Sequence, residues 1–306
     1  MTPTARIAVM GAGAVGCYFG GMLARSGVPV TLIGRLEHMK AIERDGLWFD
    51  SNHYRGSIRL QTSTDPAAVA GADFILLCVK TRQTVSAMHS AIRHLSKGAT
   101  VVCLQNGVDN VERLRVHEGI EAMPAVVWVA VEMNAPGVLK HNGRGDLVLP
   151  PVPEAARLAA LFERAAVPCK LSDNFQAALW TKMIINCTYN AISALGRSTY
   201  GSMLSNPTTA ALMRLVMEES AGVARALGVN LDTVQLWDTT ANLGESMKRA
   251  MSSTAQDLAL ARFTEIDSLN GYIVERAAQL GMGAPLNLAL HALVKQIEFT
   301  LHPIIP

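Results

Sequence analysis

The sequence predicts an α/β fold in which a parallel sheet, doubly wound by helices, is followed by an all-α C-terminal domain. Three observations support this class: a length of 306 residues, apolar strand-like runs that alternate with helical segments in the first half, and helical periodicity alone in the second half. A chain of this length is expected to form two domains, each with its own core. We place the boundary where the alternation stops, which predicts domains of residues 1–172 and 173–306.

The composition is typical of a compact globular chain. Half of the residues are hydrophobic, 17% are charged, and the formal net charge is +2. This charge is too small, and the basic residues are too scattered, to predict binding to nucleic acid or to a membrane surface. No apolar run approaches the roughly 20 residues of a membrane span. No signal-peptide pattern precedes the first strand, so we expect a cytoplasmic protein.

Cysteine usage indicates neither disulfides nor a metal site. The five cysteines are Cys17, Cys78, Cys103, Cys169 and Cys187, and none forms a C-x-x-C pair. Four of them lie in apolar or helix-forming runs. Buried free thiols in a reducing compartment are therefore expected.

A glycine-rich turn follows the first predicted strand, Arg6–Met10, and precedes a predicted helix over Tyr18–Ser26. The turn reads Gly11-Ala12-Gly13-Ala14-Val15-Gly16. Strand, G-x-G-x-x-G and helix in this order are typical of Rossmann-type dinucleotide binding. Gly11 allows the tight turn, Gly13 lets the backbone approach a pyrophosphate, and Gly16 lets the helix pack closely on the strand. The pyrophosphate is expected at the helix N-terminus.

The second predicted strand, Val28–Ile33, is followed by Gly34-Arg35. At this position a fold that binds NAD carries an acidic residue for the ribose 2′-hydroxyl, whereas an arginine accommodates the 2′-phosphate of NADP. Glu37 lies in the loop beyond the strand end. Arg35 therefore favours NADP(H), and a solvated surface arginine is the alternative.

Two further apolar runs, Ala72–Val79 and Ala99–Leu104, are typical of parallel strands covered on both faces. They are followed by Lys80 and by Gln105-Asn106-Gly107. Ligands of open α/β sheets bind beyond the carboxyl ends of the strands, so we expect Lys80 and Asn106 at the cofactor groove. A solvated lysine and a simple turn are the alternatives. Residues 125–131 and 137–149 are interpreted as strands that extend or cover the sheet, residues 167–171 as a short strand, and residues 82–95 and 154–166 as helices.

From Asn174 onward the periodicity is helical, with glycine, asparagine and proline as stop signals. The predicted helices are Leu179–Leu195, Thr208–Leu227, Leu231–Asn242, Ala255–Leu280 and Asn287–Leu301. On the first of them, Lys182, Asn186 and Asn190 are spaced i, i+4, i+8 and lie along one face over about 12 Å. The remaining positions of this helix are apolar. The pattern indicates a buried helix that presents a polar row to a partner.

Two polar motifs belong to the longest predicted helix. Ser252-Ser253-Thr254 precedes it and is a good N-cap cluster, so capping is the simplest role for Ser253. Thr264-Glu265-Ile266-Asp267 lies within it, and a solvated helix face is the simplest interpretation of Glu265 and Asp267.

Together these motifs resemble the ketopantoate reductase (2-dehydropantoate 2-reductase) family along nearly the whole chain. The matching residues are Gly11–Gly16, Val79-Lys80, Gln105-Asn106-Gly107, Trp180-x-Lys182-x-x-x-Asn186-x-x-x-Asn190, Ser252-Ser253-x-x-Gln256-Asp257, and Thr264-Glu265-Ile266-Asp267 with Asn270-Gly271. The glycine turn is shared by many nucleotide-binding folds. The last three motifs, in this order and spacing, are specific.

The resemblance implies a reductase that passes hydride from NADPH to the C2 carbonyl of ketopantoate, which gives pantoate for pantothenate and coenzyme A synthesis. It implies that Lys182 is the proton donor and a substrate ligand. Asn186, Asn190 and Ser253 are expected to hold the substrate, and Asn106 to lie between cofactor and substrate.

The resemblance also implies a set of cofactor ligands. The Gly11–Gly16 turn is expected to bind the pyrophosphate, and Arg35 and Lys80 the phosphate-bearing ribose of NADP(H). Asn106 and Glu265 are expected near the nicotinamide. Glu265 is also implied as a second catalytic residue, since a carboxylate can keep a catalytic lysine in its charged form.

Three departures from the family pattern leave the substrate open. Thr254-Ala255 follows Ser253, Arg197–Tyr200 lacks an asparagine that contacts substrate in some members, and Trp128–Pro136 lacks the small and hydroxyl residues expected near the nicotinamide. A paralogue that reduces another branched 2-oxo acid is therefore an alternative.

Two other classes of protein are weighed against this one. A β-hydroxyacid dehydrogenase shares the Lys-x-x-x-Asn helix, but the Ser-Gly-Gly type of loop expected before it is missing. A non-catalytic NADP(H)-sensing protein would be expected to lack the motifs of the second half, which are present. The sequence is compatible with a homodimer and does not decide the oligomeric state.

Overall fold

The computed structural model describes residues 5–52 and 54–302, and these residues divide into two compact units. One unit contains the described residues up to Gln105 together with Asp109–Phe175. The other contains Asn106–Val108 together with the described residues from Gln176 onward. The predicted boundary at residues 172 and 173, with its assignment of cofactor and substrate to the two domains, stays a prediction.

The first unit is built on a parallel sheet. Among the described residues its strands are β1 (Ile7–Met10), β2 (Val30–Ile33), β5 (Gln61–Ser63), β6 (Phe74–Leu77), β7 (Thr100–Cys103) and β8 (Glu121–Pro124), in the spatial order β5-β2-β1-β6-β7-β8. The helices of this unit are α1 (Ala14–Arg25), α2 (Leu36–Asp45), α3 (Thr84–Ala91), α4 (Asn110–Leu114) and α5 (Pro153–Arg164). β1, β6 and β7 are buried at every position, as expected for parallel strands covered on both faces.

A second, mixed sheet completes this unit. In the described part of the chain it contains β3 (Leu47–Asp50), β4 (Arg55–Ile58), β9 (Val126–Ala135), β10 (Val138–Leu149) and β11 (Cys169–Leu171), in the order β11-β10-β3-β4, with β9 paired antiparallel to β10. These strands do not extend the parallel sheet. Phe19 and Leu23 of α1 share a core with Phe49 of β3 and Leu139 of β10, so α1 packs on both sheets.

All regular secondary-structure elements among the described residues of the second unit are helices. Its helices are α6 (Phe175–Gly196), α7 (Tyr200–Ser205), α8 (Pro207–Ala226), α9 (Thr233–Ser246), α10 (Ser253–Ala259), α11 (Asn270–Gln279) and α12 (Pro285–Leu301). Trp180, Met183 and Ile184 of α6 pack with Met217 of α8 and Ile273 of α11. The predicted class, a doubly wound parallel sheet followed by an all-α part, is confirmed.

The prediction of one helix over Ala255–Leu280 is wrong, because two helices, α10 and α11, stand in its place. α10 ends shortly before Ala261, whose φ of 47° leaves the right-handed helical region. Beyond this residue, the backbone N–H of Thr264 donates to the Glu298 carboxylate of α12 rather than into a helical turn. Glu265 therefore lies on the connecting segment and not on a helix face.

A buried polar network joins four helices of the second unit. Asn270 of α11 donates from Nδ2 to the carbonyl oxygen of Cys187 on α6, at 3.1 Å, and to Oδ1 of Asn287 on α12, at 2.9 Å. Asn287 donates in turn to Glu219 of α8 at 2.8 Å. Both asparagines are fully buried, so their amides depend on these partners. The network therefore sets the position of α6 along its axis.

Burial raises the pKa of all five cysteine thiols, which favours their protonated form. All five lie in the described ranges and are free, and Cys17, Cys103 and Cys187 are buried. Burial raises the pKa of Cys17 and of Cys103 to about 12.

Within the described ranges, no His, Cys, Asp and Glu side chains group in a way that could hold a metal ion. None of the helices described above combines the length and the apolar character that crossing a membrane requires.

Candidate functional site

The turn between β1 and α1 requires glycine at two positions. Gly11 has a φ of 105°, and a Cβ there would lie 2.6 Å from the backbone nitrogen of Val79. A Cβ on Gly16 would collide with the carbonyl oxygen of Gly11 and lie 2.9 Å from Cγ1 of Val9. No L side chain fits at either position without a shift of the backbone. The tight turn and the close packing of helix on strand are thus both present.

Gly13 differs from these two glycines. A Cβ on Gly13 would meet no described heavy atom within 4 Å, and the residue is exposed. Gly13 is also the N-cap of α1, and no described side chain caps this helix end. The first N–H groups of α1, from Ala14 and Val15, therefore start a helix whose positive end has open space before it. These features fit the pyrophosphate of a dinucleotide.

Two cations flank this turn within the first unit. β1 lies between β2 and β6, so the segments after these strands lie side by side at the carboxyl edge of the sheet. Arg35 follows β2 and is exposed, and a Cβ on the preceding Gly34 would lie 2.8 Å from Cβ of Ala12. Lys80 follows β6 and is half-buried. The structure thus brings Arg35, Lys80 and the glycine turn to one edge.

The polar row of the second unit lies on α6. Lys182 and Asn186 are half-buried and Asn190 is 3% exposed, while Trp180 and Cys187 beside them belong to the apolar core. One helix therefore carries an ammonium and two amides along a face that is distinct from its core face. The row that the sequence predicts is present as a geometric feature, and its role as a ligand set stays a prediction.

Ser252, and not Ser253, caps α10. Oγ of Ser252 accepts from the backbone N–H of Ala255 at 3.0 Å and donates to the carbonyl oxygen of Asn190 at 3.0 Å. The backbone N–H of Ser252 donates to Oγ of Ser193 at 3.1 Å. The capping interpretation of Ser253 is therefore wrong: this residue is the first of the helix and is exposed. Ser253 is thus the residue next to the serine that is bonded to Asn190.

Glu265 and Asn106 meet although they are far apart in the sequence. Nδ2 of Asn106 donates to Oε2 of Glu265 at 3.0 Å, and both residues belong to the second unit. Each is half-buried. An amide donor at this distance orients the carboxylate. The interpretation of Glu265 as a solvated helix residue is therefore wrong.

A cluster on α12 that the sequence does not single out holds the segment around Glu265. Oδ1 of Asp267 lies 2.7 Å from Nε2 of His291, and Oδ2 accepts from Nζ of Lys295 at 2.9 Å. The hydrogen bond with His291, assisted by that of Lys295, lowers the pKa of Asp267 to about 2. Asp267 therefore has fixed partners on α12. The i, i+4 spacing of His291 and Lys295 is the only signal of this cluster in the sequence.

Tyr200 is a packing residue in a region where the sequence departs from the expected pattern. Its ring lies 4.2 Å from that of Tyr189, centroid to centroid. Tyr189 donates from its hydroxyl to the carbonyl oxygen of Thr240 at 2.9 Å. Burial raises the pKa of Tyr200 to about 12, so this hydroxyl stays protonated. Tyr200, which follows Asn190 in the chain, is therefore part of an aromatic pair with Tyr189.

Comparison with known families gives two matches that together span most of the chain. The family profile of ketopantoate reductase PanE/ApbA matches residues 7–154, and that of its C-terminal part matches residues 174–298. A 2-dehydropantoate 2-reductase from Pyrococcus abyssi is 31% identical over 302 residues, which cover 96% of this chain and 98% of that protein.

Two solved structures are similar over nearly the whole chain. A PanE/ApbA family ketopantoate reductase from Ralstonia eutropha JMP134 is 47% identical, with a TM-score of 0.92 and coverage of 97% of this chain and 99% of that one. A D-mandelate dehydrogenase, solved with NADH and anilino(oxo)acetate, is 27% identical, with a TM-score of 0.88 and the same coverages of 97% and 99%.

The glycine turn leads to a first prediction, on the stability of the ligand-free protein. We expect Gly16→Ala to lower the free energy of unfolding by about 3 kcal/mol, because the added methyl group is forced against the backbone of Gly11. Gly13→Ala is the matched control, and we expect it to cost less than about 1 kcal/mol, the usual effect of a poorer N-cap. Urea unfolding followed by circular dichroism measures both, and equal losses would contradict the packing described.

Proposed function

We propose that this chain, which belongs to the ketopantoate reductase family, reduces the C2 carbonyl of a 2-oxo acid, with ketopantoate as substrate and pantoate as product. The observation that carries the proposal is the polar row of Lys182, Asn186 and Asn190 along one face of α6. The names of the relatives support ketopantoate as the substrate.

We assign NADP(H) to the first unit as the cofactor. The backbone of the turn from Gly11 to Gly16 would hold the pyrophosphate, Arg35 the 2′-phosphate, and Lys80 the adjoining ribose. When bound, the dihydronicotinamide supplies the hydride. A similar protein was solved with NADH, which supports a nicotinamide cofactor and makes the preference for the 2′-phosphate a matter for experiment.

Lys182 is assigned as the proton donor. As the carbonyl carbon is reduced, negative charge develops on the carbonyl oxygen, and a cation placed there stabilises it. The ammonium of Lys182 supplies both the charge and, from Nζ, the proton that converts the oxygen into a hydroxyl. We assign Glu265, oriented by Asn106, to keep this lysine charged and to lie at the nicotinamide end.

Neutral donors are assigned to the substrate. The amides of Asn186 and Asn190 and the hydroxyl of Ser253 can bind carboxylate and hydroxyl oxygens without adding a charge that repels the product. Asn106 is assigned to both substrate and cofactor. Ser253 is available for this role because Ser252 caps α10.

A second candidate function is the reduction of another 2-oxo acid. Tyr200 packs on Tyr189 where some family members carry an asparagine that contacts substrate, so one polar contact of the pocket is expected to differ. A structurally similar dehydrogenase was solved with anilino(oxo)acetate, a 2-oxo acid with an aromatic group. A cytoplasmic location and a homodimer stay predictions.

The substrate prediction is tested with a panel of 2-oxo acids. NADPH oxidation is followed at 340 nm for each acid. We expect kcat/KM to be highest with ketopantoate, ahead of 2-oxoisovalerate and benzoylformate. A higher kcat/KM for 2-oxoisovalerate or benzoylformate would contradict the assignment of ketopantoate and indicate that class of acid as the substrate. No turnover with any member would overturn the assignment of a 2-oxo acid reductase.

The proton-donor prediction is tested by Lys182→Ala. We expect kcat to fall by about a thousandfold, the contribution of a positioned acid, while NADPH affinity measured by fluorescence titration is retained. Lys248→Ala, at an exposed lysine of the same unit, is the matched control and should keep wild-type turnover. Turnover of Lys182→Ala near the wild-type value would show that the proton comes from another group.

The cofactor prediction concerns Arg35. We expect kcat/KM to be higher with NADPH than with NADH, and Arg35→Ala to reduce the value for NADPH alone, by about tenfold to a hundredfold, as expected for a lost contact to a charged group. Arg164→Ala, at an exposed arginine in the last turn of α5, is the control. Equal kcat/KM for the two cofactors in the wild-type protein would contradict the assignment.

A further inference from the structure

We propose that α12 positions the Glu265 carboxylate for the reaction, through a clamp formed by His291, Lys295 and Glu298. The inference deepens the proposed function and rests on it, because it concerns the residue assigned to the nicotinamide end. The three side chains are spaced i, i+4, i+7, so they lie on one face of α12. None of them is assigned to substrate or cofactor, and they act as positioning residues.

Glu265 lies where its own backbone offers little support. α10 ends at Ala259 and α11 begins at Asn270, so the residue is on a connecting segment with one 3₁₀ turn, Ile266–Ser268. A carboxylate that must be held to within about 0.5 Å needs supporting contacts from rigid elements around it. α12 has 17 residues and supplies such an element.

The upstream side of Glu265 is anchored through Thr264. Oε1 of Glu298 accepts two hydrogen bonds from this residue, from the backbone N–H at 2.7 Å and from the hydroxyl at 2.6 Å. Oγ1 of Thr264 also accepts from the backbone N–H of Ile266 at 3.1 Å. The peptide group that follows Glu265 is therefore tied to the Thr264 side chain, and Glu298 holds that side chain in turn.

The downstream side is anchored through Asp267. Its two carboxylate oxygens contact His291 at 2.7 Å and Lys295 at 2.9 Å. A Cβ on Gly271 would lie 2.9 Å from Nε2 of His291, so glycine at this position leaves room for the ring. Both residues of the Asn270-Gly271 pair thus have a structural role: Asn270 donates a hydrogen bond to α6, and Gly271 leaves space for the His291 ring.

Lys295 connects the two anchors. Its Nζ lies 2.9 Å from Oδ2 of Asp267 and 2.8 Å from Oε2 of Glu298, which is 3% exposed. An ion pair with a partly exposed lysine contributes little net stability, since water screens the ammonium while the buried Glu298 carboxylate has lost its hydration. What it does provide is a defined geometry. On this segment, the side chain whose position would be fixed in this way is Glu265.

The carboxylate of Glu265 is itself met from the other side by Asn106, whose Nδ2 donates at 3.0 Å. The backbone before and after Glu265 is held by α12, and the side chain is held by Asn106. Loss of the clamp is therefore expected to misplace the carboxylate without removing it. The consequence should be seen in turnover more than in substrate affinity.

Thr264→Val is the variant that tests the clamp. It keeps the shape of the side chain and removes the hydroxyl bonded to Glu298 and to the N–H of Ile266. We expect kcat to fall by about tenfold to a hundredfold, as for a misplaced catalytic group, with a smaller change in KM for the 2-oxo acid. Thr264→Ser, which keeps the hydroxyl, should restore most of kcat. Gln296→Ala, at an exposed position of α12, is the control and should match the wild type.

Two further measurements separate positioning from a loss of structure. In a Glu265→Gln background, Thr264→Val should cost less than about twofold, because the carboxylate that it misplaces is gone. Hydrogen–deuterium exchange of the ligand-free protein should show faster exchange at the amide of Ile266 in Thr264→Val. If this variant does not fold, His291→Leu removes one of the two contacts of Asp267 while Lys295 still pairs with Asp267 and Glu298, and the same outcomes apply, with a smaller loss of kcat expected.

The outcomes distinguish the clamp from the function on which it rests. A large loss of kcat in Glu265→Gln with wild-type kcat in Thr264→Val would overturn the clamp and leave the proposed function intact. An equal loss from Thr264→Val with and without the Glu265 carboxylate would also overturn it. Wild-type kcat in Glu265→Gln would overturn the catalytic role of Glu265 and, with it, the purpose of the clamp.

Discussion

The helical unit depends on one constraint: an amide buried away from water has to find its hydrogen-bond partners inside the protein. The Nδ2 group of Asn270 meets this constraint by donating to a carbonyl oxygen on α6 and to Asn287 on α12. Apolar side chains alone would allow these helices to slide or rotate at modest cost, whereas hydrogen bonds at about 3 Å define one arrangement. The polar row of α6 therefore has a defined position relative to α11 and α12, the helices next to the segment that carries Glu265.

The parts of the fold that follow from local pattern could be predicted from the sequence. The buried parallel strands, the glycine turn and the polar row of α6 are each encoded by neighbouring residues, and the structure shows all three. The helix predicted over Ala255–Leu280 fails for a physical reason. Ile266 and Leu269 keep the apolar spacing and are buried, but Ala261 has a positive φ, which an alanine does not signal in a sequence.

The candidate site required information that no local pattern contains. The sequence indicates capping as the simplest role of Ser253, whereas Ser252 is the cap of α10 and also donates to the carbonyl oxygen of Asn190. Asn106 and Glu265 are 159 residues apart, and Thr264 and Glu298 are 34 apart. Such pairs depend on how helices pack. Resemblance to a family names Asn106 and Glu265, but it does not name the residues of α12 that contact Thr264 and Asp267 on either side of Glu265.

The short segment Asn106–Val108 bears on how this protein could be divided or recombined. It belongs to the helical unit although the chain on both sides of it belongs to the other, and Val108 packs against the apolar core around Trp180. A fragment that starts at Gln176 would lack both this apolar contact and the amide that orients Glu265. The helical unit is therefore not a separable module. An exchange of C-terminal halves between relatives would have to carry these three residues with it.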